Sequence, residues 1–205
     1  MKKDNIIHKV DQYYSDKVEQ HGATSAGVDW NGQESHYLRF DQLCKILPET
    51  KFSLLDYGCG FGSLVDFVKQ SKSEYEYYGY DISEKMIEQA QQQYPELSSS
   101  FTTVLKENEQ FDYVIANGIF NVKLKTSEDD WTQYILDTLH EMDQLTTKGF
   151  SFNILTSYSD EEYKKDYLHY ADPLFYFDYC KKHFSRNVAL LHDYELYEFT
   201  LLIRK

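Results

Sequence analysis

The sequence predicts an α/β fold built on a single doubly wound, mostly parallel sheet. Between residues 52 and 155, short apolar runs of strand length alternate with longer segments of helical periodicity, a pattern typical of parallel strands joined by helices. A glycine-rich turn follows the first apolar run and leads directly into a helix. Two strand-like runs joined by a short turn close the chain, and strands connected in this way must pair antiparallel.

Each element follows from local signals. Two amphipathic helices are predicted over residues 4–20 and 34–46, and Pro48 ends the second because proline cannot continue a helix. The predicted strands of the central region lie at residues 52–56, 75–80, 100–105, 111–116 and 150–155. The predicted helices between them cover residues 63–71, the segment that follows the N-cap Ser83, and residues 129–146, which Gly149 separates from the fifth strand.

The C-terminal part is predicted to begin with a helical, aromatic segment over residues 158–183 that Pro173 interrupts. Residues 187–192 and 196–203 then form the sixth and seventh strands, separated by a short turn. The predicted architecture is therefore a seven-stranded sheet that ends in an antiparallel hairpin.

The chain length suits one domain, since 205 residues are enough to bury a sizeable core. We expect residues 1–48 to form an N-terminal helical cap over the functional site. Residues 49–205 are expected to form the α/β domain, and the two parts are expected to make one compact unit.

The composition disfavours several classes of function. The net charge of −13 offers no basic face for phosphate groups, so no nucleic-acid partner is expected. No apolar stretch has the length of a membrane span or a signal peptide. The three cysteines, Cys44, Cys59 and Cys180, lie far apart without zinc-ligand spacing. We therefore expect no metal site, and reduced thiols in a cytoplasmic protein.

The most informative segment is residues 54–62, which read Leu-Leu-Asp-Tyr-Gly-Cys-Gly-Phe-Gly. This is the end of a strand, a tight glycine turn and the start of a helix, a unit that lets backbone approach a nucleotide-like ligand. The glycines are spaced G-x-G-x-G, whereas a pyrophosphate-binding loop has G-x-G-x-x-G. Asp56 would also repel a pyrophosphate and suit a cationic ligand. A nicotinamide oxidoreductase is thus disfavoured, although a site for another nucleotide stays open.

A second acid, Asp81, ends the next predicted strand, where doubly wound folds hold ribose hydroxyls. With this pair of motifs, the chain resembles the class I S-adenosylmethionine-dependent methyltransferases over roughly residues 35–155. The resemblance implies a Rossmann-like sheet whose last strand is inserted antiparallel, and S-adenosylmethionine as the cofactor. It implies a cofactor site made of Asp56, Gly58, Cys59, Gly60, Gly62, Asp81, Ile82, Met86 and Asn117.

The resemblance also implies roles for these residues. The glycines would let the loop backbone approach the methionine part and the ribose, and Asp56 would lie near the cofactor's amino group. Asp81 would accept hydrogen bonds from both ribose hydroxyls, while Ile82 and Met86 would pack against adenine. Cys59 is expected to be a small residue that the loop needs rather than a nucleophile. The residue that reads adenine after the third strand stays unassigned.

Three residues upstream of the glycine loop are further candidates. Arg39 could hold the methionine carboxylate by paired hydrogen bonds. Trp30 and Tyr14 could cover the cationic sulfur, since an aromatic face attracts a cation. The alternatives are a surface position for Arg39 and a core position for Trp30.

On the acceptor side, Asn117 stands where relatives contact the sulfonium region or the acceptor. It lacks the Asn-Pro-Pro-aromatic pattern of enzymes that methylate nucleobases or glutamine, because Asn117-Gly118-Ile119-Phe120 stands there instead. His169 is the candidate general base because a histidine pKa lies near neutrality, although a packing role is the alternative.

The sequence predicts methyl transfer to a small-molecule acceptor, sugar-like or aromatic, by a monomer or homodimer. Two other hypotheses stay open: an acceptor on a protein or carrier, and a non-catalytic module that binds the cofactor.

Overall fold

The computed structural model describes residues 2–21 and 33–205, and their centre is a seven-stranded sheet. The strand order is β3-β2-β1-β4-β5-β7-β6. The strands are β1 (Phe52–Tyr57), β2 (Tyr75–Tyr80), β3 (Phe101–Thr102), β4 (Phe111–Ala116), β5 (Thr146–Leu155), β6 (Asn187–Leu191) and β7 (Glu198–Arg204). The first five are parallel to one another, and β7 lies antiparallel between β5 and β6. The predicted parallel sheet with a C-terminal antiparallel hairpin is confirmed.

Six α-helices of the described residues cover the two faces of this sheet. They are α1 (Lys2–His21), α2 (Gln33–Cys44), α3 (Leu64–Ser71), α4 (Glu84–Gln93), α5 (Glu128–Leu145) and α6 (Pro173–His183). Apolar side chains of α2, α3 and α4 form one hydrophobic cluster with the sheet. Those of α1, α5 and α6 form another on the opposite face. The two clusters make this a layered α/β fold with helices on both sides.

Helix α4 shows how closely some local predictions match. Its N-cap is Ser83, whose hydroxyl accepts a hydrogen bond from the Met86 amide. Such a cap satisfies one of the free amides at a helix start. The predicted helix over residues 129–146 corresponds to α5, which begins one residue earlier.

The predicted third strand, residues 100–105, is wrong in extent. Only Phe101 and Thr102 pair with β2, and a 3₁₀ helix, Pro95–Ser100, precedes them. The Thr102 hydroxyl both donates to the Val104 carbonyl and accepts from the Val104 amide. This local turn competes with strand pairing and ends β3. No helix follows in residues 103–110, which lead directly to β4.

The predicted helix over residues 158–172 is also wrong, apart from one 3₁₀ turn at Glu161–Tyr163. The backbone of this segment bonds to other parts of the chain, as when the His169 amide donates to the Asn121 carbonyl and the Ala171 amide to the Leu155 carbonyl. Pro173 does not interrupt a helix but begins α6, at the position where its missing N–H costs nothing.

Gly149, predicted as a break, lies inside β5, which begins at Thr146. A side chain at this position would collide with the Ile203 carbonyl of β7. The glycine therefore allows the two strands to approach rather than ending an element.

In the part of the chain that the structure describes, none of the helices combines the length and apolar character that a membrane crossing needs.

Candidate active site

The glycine loop after β1 turns sharply around the end of β2. Gly58, Gly60 and Gly62 all have positive φ angles, of 79°, 55° and 86°. The amides of Gly58 and Cys59 both donate to the Tyr80 carbonyl, over 2.7 and 2.9 Å. These bonds fix the loop against β2 and require backbone angles that side chains disfavour.

Gly58 is further constrained by a neighbour from another strand. A Cβ atom on this residue would overlap the side chain of Ile119, which follows β4. The glycine therefore brings the loop after β1 and the loop after β4 into contact. Two adjacent parallel strands thus present their carboxyl ends at one place, where ligands bind in doubly wound sheets.

Asp81 organises the loop through its carboxylate. One oxygen accepts a hydrogen bond from the Gly60 amide and the other from the Ser83 amide, both over 2.9 Å. Burial and, to a smaller extent, the nearby charge of Asp11 raise the pKa of Asp81 to about 6, although these hydrogen bonds oppose the shift. Each carboxylate oxygen can accept a second hydrogen bond, so Asp81 can hold the loop and still bind a pair of hydroxyl groups.

The Asp81 cavity is a space of about 90 Å³ above this loop. Helix α1 covers it with Val10, Asp11 and Tyr14. Its other lining residues are Tyr57, Gly58, Gly60, Tyr80, Asp81, Ile82, Ser83, Met86, Asn117, Gly118, Ile119 and Tyr134. The structure therefore brings five of the candidate cofactor residues, Asp81, Ile82, Met86, Asn117 and Tyr14, to one cavity.

The Asp56 cavity, of about 40 Å³, lies on the other side of the same loop. It is lined by His36, Phe40, Asp56, Gly58, Cys59, Gly60, Ser63, Leu64 and Asn117. Gly58, Gly60 and Asn117 line both cavities. The two cavities are thus neighbouring lobes that meet at the glycine loop and the end of β4.

Asp56 is a buried acid at the end of β1. It accepts a hydrogen bond from the Tyr77 hydroxyl over 2.7 Å. Burial raises the pKa of Asp56 to about 7, and the charge of Asp81 adds to this effect while the Tyr77 hydrogen bond opposes it. Such a carboxyl would be stabilised in its ionised form by a bound cation.

Arg39 lies elsewhere than the sequence suggests. Its Nε donates to Glu198 Oε1 of β7 over 2.7 Å, and it lines neither cavity. Glu198 is 1% exposed, and a buried carboxylate needs a charged or hydrogen-bonding partner. This need accounts for the position of Arg39.

His169 also lies outside both cavities. Its Nδ1 is 2.7 Å from Glu128 Oε2, and burial lowers its pKa although Glu128 opposes this. The histidine packs beneath the segment that follows β4, where its amide donates to the Asn121 carbonyl. The geometry favours the packing role over that of a general base.

Cys59 lies under the glycine loop with a buried thiol. The thiol is 3.5 Å from the Gly60 carbonyl, and burial raises its pKa well above the ordinary value. A thiol in this state is a poor nucleophile, which agrees with the expected role of a small loop residue. Trp30 lies outside the described residues.

Several lining residues were not singled out from the sequence. Tyr57 and Tyr80 adjoin Asp56 and Asp81 along their strands, so position next to the motif acids could have indicated them. Asp11 and Tyr134 reach the Asp81 cavity from α1 and α5, and no local sequence signal marks them.

An open cleft of about 720 Å³ adjoins the Asp81 cavity and shares Tyr57 and Tyr80 with it. It lies between α5 and the residues that connect β3 to β4. The Tyr57 hydroxyl donates to Glu141 Oε2 of α5 over 3.1 Å at this boundary.

The described residues contain no group of three or more side chains that could hold a metal ion.

Comparison with known proteins agrees with this geometry. A general family profile described as a methyltransferase domain matches residues 55–149. A Mycobacterium tuberculosis protein, named as an inferred methyltransferase, is 43% identical over 155 residues, which cover 75% of this chain and 93% of that protein. The chain belongs to the class I S-adenosylmethionine-dependent methyltransferases. S-adenosylmethionine is accordingly the cofactor of this methyltransferase.

Solved structures share the fold of this methyltransferase. Magnesium protoporphyrin IX methyltransferase (ChlM) from Synechocystis PCC 6803, with bound S-adenosylhomocysteine, aligns with a TM-score of 0.68 at 16% identity over 100% of both chains. Its complex with S-adenosylmethionine gives a TM-score of 0.65 over 100% of this chain and 97% of that one. The PH0226 protein from Pyrococcus horikoshii OT3 gives 0.59 at 16% identity, over 91% and 98% of the two chains. At these identities the likeness establishes the fold.

Proposed function

We propose that this methyltransferase acts on a small-molecule acceptor, and that its cofactor lies across the Asp81 and Asp56 cavities. The observation that carries the placement is that two acids, the buried Asp56 and the half-buried Asp81, stand in two lobes joined by one glycine loop. Asp81 suits the ribose hydroxyls, with Ile82 and Met86 beside the adenine. Asp56 suits the ammonium group of the methionine part, and Asn117 stands at the junction.

The residues present fit such a ligand. The backbone at Gly58 and Gly60 borders both lobes without a side chain that would fill them. The raised pKa of Asp56 indicates a carboxyl in need of a cation. The two lobes together are smaller than the roughly 300 Å³ at which ligand pockets usually begin. We therefore expect α1 to move outward as the cofactor enters.

When bound, the cofactor supplies an activated methyl group on a positively charged sulfur. The chain's own part is to hold the cofactor and the acceptor and to exclude water, because alignment supplies much of the rate in a displacement. Tyr14 and Val10 of α1 cover the Asp81 cavity from solvent. Asp11, on the same helix, places a carboxylate at the cavity wall.

A small acceptor is supported by three findings. Helix α1 covers the Asp81 cavity, which leaves little room for a folded macromolecule above it. The net charge of −13 disfavours nucleic acid. The structural neighbour ChlM is named for magnesium protoporphyrin IX, itself a small molecule. We also propose that the protein is cytoplasmic, in keeping with its three buried, free cysteines.

The acceptor class is tested by supplying methyl-labelled S-adenosylmethionine with a cell extract that has been divided by ultrafiltration. We expect a labelled product, separated from the cofactor by chromatography, in the low-mass fraction, and much less of it when the Asp81→Ala variant replaces the wild type at limiting cofactor. Label confined to the retained fraction would instead indicate a protein or carrier-bound acceptor. Cofactor binding without transfer to either fraction would indicate a binding module.

The raised pKa of Asp56 predicts that cofactor affinity depends on pH. The ammonium group binds the ionised carboxylate, so affinity falls as pH falls through about 7. Protonation of Asp56 alone, with this pKa, should weaken S-adenosylhomocysteine binding roughly fivefold between pH 7 and pH 6, and protonation of Asp81 should add to that loss. Calorimetric titration across pH 5.5–7.5 measures it.

Among the titratable groups around Asp56, only Asp81 also changes its protonation state in this pH range. Burial lowers the pKa of His36 to about 4. It raises the pKa values of Tyr77, Cys44 and Cys59 above the ordinary ones. The Asp56→Asn variant should therefore lose the step near pH 7 and keep the one from Asp81 near pH 6. An unchanged step near pH 7 would remove Asp56 from the ammonium site.

A further inference from the structure

A chain of polar side chains connects α2 to the junction of the two cavities. Arg39 donates to one oxygen of Glu198 over 2.7 Å. The amino group of Asn153, on β5, donates to the other oxygen of Glu198 over 2.6 Å and to Asn117 Oδ1 over 3.1 Å. Glu198 and Asn153 are buried, so they depend on these protein partners for their hydrogen bonds.

The partners determine how both amides are turned. The Gly118 amide donates to Asn153 Oδ1 over 2.7 Å. A backbone N–H can only donate and a carboxylate can only accept. Asn153 must therefore direct its oxygen to Gly118 and its amino group to Glu198. The Asn117 atom that meets this same amino group must be the oxygen, so the network itself assigns both orientations.

The consequence lies at the ligand site. Asn117 lines both cavities, and its side-chain oxygen faces Asn153. The amino group of Asn117 is therefore the part of its side chain that can reach a ligand in the cavities. A hydrogen-bond donor here suits neither the positive sulfur nor the ammonium group. It suits a carboxylate. In the methionine part, the carboxylate and the ammonium group are attached to one carbon, so a carboxylate lies close to any ammonium that Asp56 binds.

We propose that Asn117 donates a hydrogen bond to the cofactor's carboxylate, and that Asn153, Glu198 and Arg39 are positioning residues that hold it in this orientation. The inference rests on the proposed placement of the cofactor across the two cavities. Arg39, which the sequence suggests as a direct ligand of the carboxylate, acts on it through intervening side chains.

The double variant Asn153→Asp with Glu198→Gln tests the positioning role at constant net charge. The amide introduced at position 198 can accept from Arg39 and donate to the carboxylate introduced at position 153, which still accepts from the Gly118 amide. That carboxylate also needs a donor from Asn117, so the Asn117 amide turns over and directs its oxygen at the cofactor's carboxylate. Every hydrogen bond of the network is kept, and only the group offered to the ligand is inverted.

Two ligands separate binding from structural damage. S-adenosylhomocysteine carries the carboxylate, whereas 5′-methylthioadenosine keeps the adenosine and the sulfur but lacks the amino-acid part. Calorimetry of the double variant should show S-adenosylhomocysteine binding weakened by about tenfold or more, the effect of losing a hydrogen bond to a charged group. Binding of 5′-methylthioadenosine should change less than about twofold, within the scatter of a substitution that keeps its contacts.

A single variant, Asn117→Asp, provides a second test that leaves the rest of the network intact. It keeps an oxygen toward Asn153 and presents another oxygen to the ligand, so it should show the same selective loss. Unchanged binding of S-adenosylhomocysteine by either folded variant, or equal losses for both ligands, would overturn the inference. A wild type that binds neither ligand would instead overturn the placement of the cofactor, and this inference with it.

Discussion

Replacing Asp81 by Ala is expected to weaken S-adenosylhomocysteine binding by about 10- to 100-fold, the effect of losing a hydrogen bond to a charged group. The carboxylate stands at the end of β2 in the Asp81 cavity. It also accepts from the Gly60 and Ser83 amides, so the variant loses part of the loop's support as well. Calorimetric titration of the wild type and the variant measures the effect.

Glu84→Gln is the matched control for Asp81→Ala. Glu84 is an exposed acid in the first turn of α4, three residues from Asp81, and it does not line the cavity. Its replacement removes the same charge from the same region without touching the ligand site. We expect the affinity of this control to stay near that of the wild type. Equal losses in the two variants would show that Asp81 acts through long-range charge and not through contact with the ribose.

Replacing Glu198 by Ala is expected to lower the free energy of unfolding by about 3–5 kcal/mol. The ion pair with Arg39 is buried, with side-chain exposures of 1% for Glu198 and 11% for Arg39. The variant leaves a buried guanidinium without its carboxylate, and it takes an acceptor from Asn153. Urea denaturation of the protein without cofactor measures the change.

The double variant Arg39→Met with Glu198→Met separates the charge from the packing. Two apolar side chains can replace a buried ion pair with little loss, so this variant should recover most of the stability that Glu198→Ala loses. We expect it to bind S-adenosylhomocysteine more weakly than the wild type, because Asn153 lacks its carboxylate acceptor. A loss below about 1 kcal/mol in Glu198→Ala, the scale of an exposed pair, would contradict the role of this pair in holding β7 to α2.

Much of the sheet was predictable because its signals are local. The alternation of strand and helix patterns follows from which side chains each element buries. The glycines of the loop indicate a tight turn because they tolerate positive φ angles. The errors occur where tertiary contacts decide. Thr102 ends β3 by bonding to Val104, and residues 158–172 exchange helical hydrogen bonds for contacts with β5 and the segment after β4.

The site shows the same division. Asp56 and Asp81 were predictable because they end adjacent strands next to a glycine turn, so their positions depend on nearby residues. The role of Arg39 could not be predicted, because its partner Glu198 lies 159 residues further along the chain. Asp11 reaches the Asp81 cavity only because α1 packs over α4, where Ser15 and Ser83 share a hydrogen bond of 2.8 Å. Contacts between residues far apart along the chain leave no local pattern in a single sequence, so they could not be predicted from it.

The crystal structure of the complex with S-adenosylhomocysteine tests the placement of the cofactor most directly. We expect the ribose hydroxyls within hydrogen-bond distance of Asp81 and the ammonium group beside Asp56, with the ligand crossing from one cavity to the other at Gly58 and Gly60. A ligand held in the open cleft between α5 and the β3–β4 connection, or one whose amino-acid part lies away from Asp56, would contradict this placement.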